Sequence, residues 1–208
     1  MNRDPSYTES MNRLIDEFAR LPGIGRRTAE RLAFHVLKAQ RDEAMALSKA
    51  IADVKTNVRH CSVCYNLTET DPCPICASEQ RDDAKILVVE QPRDVISLEQ
   101  TSVYDGTYHV LLGHLAPLEG VGPSDLTAGA LIERVGQLAE AGRKVEVILG
   151  MNPNMEGDGT ALYLADRLSG INGVTITRLA RGLPVGTQLE YANKAVLSDA
   201  INSRQSLK

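Results

Sequence analysis

Four cysteines carry the clearest chemistry in the 208-residue sequence, and it has no others. They stand as Cys61-Ser-Val-Cys64 and, eight residues later, Cys73-Pro-Ile-Cys76. Each CxxC pair lets one tight turn aim two sulfurs at a point, so two such pairs can wrap one ion tetrahedrally. Asn66, Thr68, Thr70, Asp71 and Pro72 lie between them and favour loop. Zinc suits an all-thiolate site best, with iron the lesser alternative. Four thiolates leave no open position for water, so the expected ion is structural, one Zn²⁺ per chain. His60 is not needed to complete the set. Two disulfides or buried free thiols are the competing uses of these residues, but Met1 to Arg20 is polar and mixed in charge, unlike a secretory segment, which argues against a disulfide scaffold.

Two further groups could do chemistry. The first is Leu21-Pro22-Gly23-Ile24-Gly25-Arg26-Arg27, with Arg31 one turn on. Gly23 and Gly25 permit a tight turn with exposed amides, a following helix N-terminus attracts phosphate, and Arg26, Arg27 and Arg31 add charge. No base-reading set accompanies them, so DNA contact here is expected to be sequence-independent. The second group is Glu90, Glu156 and Asp158. Clustered carboxylates at one sheet edge can bind Mg²⁺ and support phosphodiester chemistry. The plainer use of Glu156 and Asp158 is to accept N–H bonds at a helix N-terminus.

These groups need elements to hold them. Residues 8–20 read as a helix with Met11, Leu14, Ile15 and Phe18 as its apolar stripe. A second runs from about Arg26 to Ala39, with His35 in a surface or hydrogen-bonded structural role. A third covers Asp42 to Val54, with Met45, Leu47, Ala50, Ile51 and Val54 available for packing. After a polar joint at residues 77–83, strands are expected at Lys85–Val89, Tyr108–Leu112, Val145–Leu149 and Val174–Arg178. Helices are expected after Asp94, over Leu126–Ala141 and over Thr160–Leu168. Strands alternating with helices imply a largely parallel sheet covered on both faces. His109 is expected to be structural, and His114 lies in a loop. Residues 179–187 read as a turn or extended arm, Lys194–Asn202 as a short helix, and Arg204–Lys208 as a fraying end.

Composition narrows the function classes. Hydrophobic content is 43%, charged content 24% and net charge −4, as in an ordinary soluble protein. No run is long enough to span a bilayer, so a cytoplasmic protein without membrane contact is expected. The charge is uneven: residues 1–56 hold ten Lys/Arg against eight Asp/Glu, residues 81–208 twelve against sixteen. A local basic face on the first part would be masked in the total. Trp is absent and Phe occurs twice, so extensive stacking of bases on aromatics is not the obvious binding mode.

From about Leu14 to Arg204, the ordered set of parts resembles the RecR family of bacterial recombination mediators. The resemblance rests on Leu21-Pro-Gly-Ile-Gly-Arg-Arg27, on Cys61, Cys64, Cys73 and Cys76, and on a Toprim-like stretch. That stretch carries Val-Val-Glu90, Tyr-His-Val-Leu-Leu112, Pro117-Leu-Glu-Gly-Val-Gly-Pro123 and Glu156-Gly-Asp-Gly-Thr-Ala-Leu-Tyr163. The tail Gly182-Leu-Pro-Val-Gly186 with Leu189-Glu-Tyr191 completes it. It implies a multidomain α/β protein: a helix-hairpin-helix domain (1–56), a four-cysteine zinc finger (57–80), a Rossmann-like Toprim domain (81–177) and a C-terminal extended arm with a short helix (178–208).

The resemblance also implies a function. It is a non-enzymatic mediator of recombinational DNA repair that forms a tetrameric ring or clamp on single- or double-stranded DNA. With RecO, and in many bacteria RecF, it helps load RecA onto strands coated by single-strand-binding protein. The family's hairpin faces DNA, which gives Gly23, Gly25, Arg26, Arg27 and Arg31 as DNA contacts. Its acidic Toprim face meets RecO, which gives Glu90, Glu156 and Asp158. Its chains pair through N-terminal helices and swapped C-terminal arms.

Catalytic Toprim enzymes carry D-x-D-x-E-G, whereas this chain has Asn152-Pro-Asn154-Met-Glu156-Gly157. An amide is a weak Mg²⁺ ligand, so no catalytic residue is assigned. The competing hypotheses are a Toprim-type metal-dependent phosphoryl-transfer enzyme and a zinc-stapled scaffold that binds protein only. The sequence also departs from the RecR pattern at Gln91-Pro92, at Arg181 and at Asn193, where an aspartate is usual. The last departure, with no GxxxxGK[ST] present, removes support for nucleotide binding.

Overall fold

A computed structural model describes residues 6–186 and 188–204. The expected fraying at 205–208 and the arm residue Thr187 lie outside the described residues. The chain divides into two compact units between Val58 and Arg59.

The first unit is helical. Helix α1 (Glu9–Ala19) starts where the Thr8 hydroxyl accepts from the Met11 N–H at 3.4 Å. Helix α2 (Arg26–Lys38) follows the Pro-Gly turn. Ile15 is buried against Ala29 and Ala33, whose small side chains let the helices approach closely, and Met11, Leu14 and Phe18 pack around them. The expected stripe of α1 is therefore its inner face. Helix α3 (Arg41–Asn57) differs: none of its residues is buried, and Ile51 and Val54 are 57% and 59% exposed.

The second unit opens with a two-stranded antiparallel ribbon, β1 (Arg59–His60) and β2 (Leu67–Thr68). Next come β3 (Asp82–Val89), α4 (Pro92–Glu99), β4 (Gly106–Val110), α5 (Ala128–Glu140), β5 (Val145–Leu149), α6 (Met155–Ser169), β6 (Val174–Arg178) and α7 (Lys194–Asn202). The sheet is parallel throughout, in the order β4-β3-β5-β6. Alternation along β3 fixes its two faces. Ile86 and Val88 face Leu131, Val135, Leu164 and Leu168 of α5 and α6, while Leu87 and Val89 face Val95 of α4. Helices cover both sides, as expected.

Several boundaries differ from the expected ones, for local reasons. Strand β3 starts at Asp82, inside the expected joint at 77–83, because Asp82 already pairs with Gly106 of β4. Pro92 is already helical, because its fixed φ suits a first turn, and the Asp94 carboxylate accepts from Gln91 N–H at 2.8 Å rather than starting the helix itself. Strand β4 is displaced toward Gly106, and Leu112 turns away at φ 64°. The loop after β4 contains two single 3₁₀ turns, Pro117–Glu119 and Pro123–Asp125. Helix α6 begins at Met155 instead of Thr160, with Asn154 as its cap.

Candidate zinc centre, hairpin and Toprim sheet edge

The cysteine set is assembled by two backbone turns. Cys61 N–H donates to Asn66 O at 2.8 Å, Tyr65 N–H to Cys61 O at 3.0 Å, and Ala77 N–H to Cys73 O at 2.9 Å. Tyr65 takes a positive φ of 61° to close the first turn. The Asp71 carboxylate accepts from Ser62 N–H at 2.8 Å, and that bond holds its pKa below the usual carboxylate range.

All four sulfurs lie within 4.8 Å of one another, and Cys64 Sγ and Cys73 Sγ are 3.5 Å apart. A tetrahedron of Zn–S bonds near 2.3 Å needs sulfurs about 3.8 Å apart, so the set fits the ion. Backbone N–H groups of Val63 and Cys73 point at Cys61 Sγ at 3.4 and 3.3 Å, the arrangement a thiolate wants. Cys61, Cys64 and Cys73 are buried. The Cys76 thiol beside Cys64 brings the latter down to about 6, and the same contact drives Cys76 upward; burial pushes Cys73 up to about 11. A dication offsets that mutual repulsion and lets all four ionise. The site holds structural Zn²⁺. His60 takes no part in it: its Nδ1 donates to Tyr65 O at 3.0 Å.

This module is fastened to the sheet. Val110 N–H donates to Cys64 O at 2.8 Å, and Tyr65 and Ile75 join the core beneath α4. The Tyr65 ring lies 5.4 Å from that of His109, which is fully buried. His109 Nε2 donates to Thr127 O and Oγ1 at 3.1 and 3.0 Å, and its Nδ1 has no partner among the described residues. Burial pulls its pKa down to about 4, which keeps the ring neutral.

In the hairpin, Gly23 adopts φ +77°, a conformation other residues resist, and Gly25 caps α2 without a side-chain acceptor. The three arginines are not equivalent. Arg26 reaches back to Asp16 at 2.8 Å and to Glu30 at 3.6 Å, bracing the turn. Arg27 and Arg31 are exposed and form no ion pair among the described residues.

At the sheet edge the expected carboxylates are held apart. Glu90, just past β3, is only 3% exposed. It accepts from Asn152 N–H at 2.8 Å and from Asn152 Nδ2 at 2.7 Å, and His114 Nδ1 approaches at 3.2 Å. Asn152 thus does what an ionised aspartate cannot: it donates to Glu90. Asn154 accepts from Gly157 N–H at 2.8 Å, capping α6 in place of the acidic residues. Gly157 is required there, because a Cβ would collide with the Asn152 carbonyl oxygen.

The early start of α6 places Glu156 and Asp158 in its first turn. Asp158 is engaged by Arg181 through both carboxylate oxygens, with Arg178 at 3.9 Å. Arg181 holds the Asp158 carboxyl below its ordinary range. Glu156 is exposed. Among the described residues, only the four cysteines place three or more metal-ligating groups together. Arg181 reads in the sequence as a departure from the family pattern, and its pairing with Asp158 is invisible there because twenty-three positions separate them.

Comparison with known proteins agrees with this arrangement. Residues 11–55 match the family described as RecR, helix-hairpin-helix; residues 58–78 match the RecR zinc finger domain of four cysteines; residues 84–180 match the Toprim domain. The chain is 52% identical to the recombination protein RecR of Rhodopirellula baltica, over 97% of this chain and 98% of the relative. Identity to the RecR of Heliobacterium modesticaldum is 51%, over 97% and 98% of the two chains. For the RecR of Pelotomaculum thermopropionicum it is 48%, again over 97% and 98%. The hairpin, the four-sulfur centre and the parallel Toprim sheet stand in one order over nearly the whole length, and the chain belongs to the RecR family of recombination proteins.

Proposed function

We propose that this protein is a non-enzymatic mediator of recombinational repair. It binds DNA without sequence preference, closes on it as a homo-oligomeric ring or clamp, and helps RecO, with or without RecF, load RecA onto single strands coated by single-strand-binding protein. The observation that carries this reading is the hairpin: a glycine turn followed by Arg27 and Arg31, both exposed and without an ion pair among the described residues. Gly23, Gly25 and Arg26 shape and brace that turn, and Arg27 and Arg31 supply the phosphate contacts.

Assembly is supported by apolar surface that the described chain leaves uncovered. Leu47, Ile51 and Val54 on α3 form one exposed face, and no residue of α7 is buried. Contiguous surface of this kind is normally covered by a partner. RecO docks on the acidic edge of the Toprim sheet, where Glu156 is free to make contact and Glu90 and Asp158 fix the edge's shape. No helix is long and apolar enough to cross a membrane among the described residues, in keeping with a cytoplasmic, nucleoid-associated role. The working division is 1–56, 57–80, 81–177 and 178–208.

The competing enzyme reading needs carboxylates gathered around a metal. The described residues instead give Glu90 to an amide and an imidazole, and Asp158 to an arginine. The test is RecA filament growth on single strands coated by single-strand-binding protein, with RecO and this protein added. Acceleration of filament growth, with no cleavage or relaxation of DNA in Mg²⁺ or Mn²⁺, is expected. Nuclease or topoisomerase activity would reverse the assignment.

A further inference from the structure

Helix α2 carries more on its outer face than the hairpin uses. Arg27, Arg31, Phe34, His35 and Lys38 are all exposed. At 3.6 residues per turn, their spacing places them within an arc of about 100°. Phe34 stands at one edge of that arc, with the four N–H donors along its other side. Phe34 is 37% exposed, although Ala29 and Ala33 on the opposite face of the same helix are buried. Its ring meets that of Tyr7 edge to face, with centroids 5.7 Å apart and planes at 74°. That edge contact fixes the ring's direction, and part of the ring stays open to solvent. Glu30 lies at the border of the arc and is taken by Arg26.

We propose that this face is a single-strand-binding platform: Phe34 stacks an unpaired nucleobase while Arg27, Arg31, His35 and Lys38 follow the sugar–phosphate backbone. The inference rests on the DNA-binding reading above and adds to it a preference for exposed bases. Arg27, Arg31 and His35 follow one another at about 6 Å along the helix, close to the spacing of neighbouring phosphates on an extended single strand. A duplex hides its bases from such a ring, so the ring contributes only to single strands. A second copy of the chain is the poorer occupant. A two-fold contact through this arc would press Arg27, Arg31 and Lys38 against the same cations of its partner. The uncharged face of α3 carries no such conflict.

The test compares three ligands of equal length: oligo-dT, an abasic oligomer with the same phosphates, and a duplex. The zinc-loaded full chain should bind oligo-dT more tightly than the abasic strand by about 5- to 150-fold, the range of one base–aromatic stack. Phe34→Ala should remove that difference and leave abasic and duplex binding unchanged. Phe34→Trp should preserve it. The chain has no other tryptophan, so the new emission reports directly and should be quenched by oligo-dT and not by the abasic strand. Equal binding of oligo-dT and abasic strand by the parent chain would overturn the proposal while leaving DNA binding intact. A Phe34→Ala protein with altered mass in solution, or with all three ligands weakened alike, would overturn it in favour of a structural ring. Loss of all binding by the parent chain would remove the DNA-binding reading itself.

Discussion

Glu90 and Asn152 show how one side-chain type decides what a site can do. A buried carboxylate needs partners, and here they are an amide and an imidazole. Asn152→Asp exchanges a donor for a second negative charge, so it should lower stability at pH 7 by about 1–3 kcal/mol, the cost of a lost buried partner. Urea unfolding measures this, and the deficit should shrink as the pH falls through the carboxylate range and one proton is shared. The Asn-for-Asp exchange was legible in the sequence as a loss of metal ligands. That the amide is the replacement partner of Glu90 was not, because it depends on the loop geometry Gly157 permits.

His109 supplies the pH dependence. Its folded pKa lies near 4, below the unfolded value of about 6.5. The unfolded chain therefore binds the extra proton first. Its contribution is unchanged above about pH 6.5, and stability is lost as the pH drops from there toward 4, by up to about 3 kcal/mol. In His109→Gln, which keeps a donor toward Thr127, the slope of stability against pH between 7 and 5 should flatten.

Among elements, those with strong periodicity emerged where the sequence placed them: β5, β6 and α7 match residue for residue, and the stripe of α1 is its buried face. Helix α6 did not, because Glu156-Gly-Asp-Gly reads as loop. The structure makes it helical by capping with Asn154 and setting acidic residues against the positive end of the helix. The third helix has a legible apolar face, and it stays exposed in the described chain.

The zinc module is also an element-scale matter. Its interior between the cysteine pairs has no basic residue, so its work is structural. Cys64 O and the Tyr65 ring tie it to β4. Cys61→Ser, or chelation of the ion, should unfold this ribbon and lower the thermal midpoint before DNA contact is affected. Circular dichroism and zinc release followed on one sample check this. A folded, zinc-free protein with an unchanged midpoint would contradict it.

At the scale of the whole molecule, the protein divides its labour along the chain: cations on the helical unit, a metal staple, then a Toprim sheet whose edge holds Glu90 in hydrogen bonds and Asp158 in ion pairs. Net charge −4 concealed this, since the small basic excess of residues 1–56 is outweighed by the acidic excess of the rest. The order of motifs made the architecture legible; the engagement of Arg26, Asp158 and Glu90 arises from contacts between distant positions and needed the fold.

The central claim is that Arg27 and Arg31 hold DNA by its phosphates. The most direct measurement is the affinity for duplex and single strands by fluorescence anisotropy across a range of salt, for the parent and for Arg27→Gln/Arg31→Gln. Log affinity should fall linearly with log salt for the parent. In the double variant the slope should become shallower by about 1.8 on duplex and about 1.4 on single strands, one released counterion set per lost contact. An unchanged slope would contradict the account.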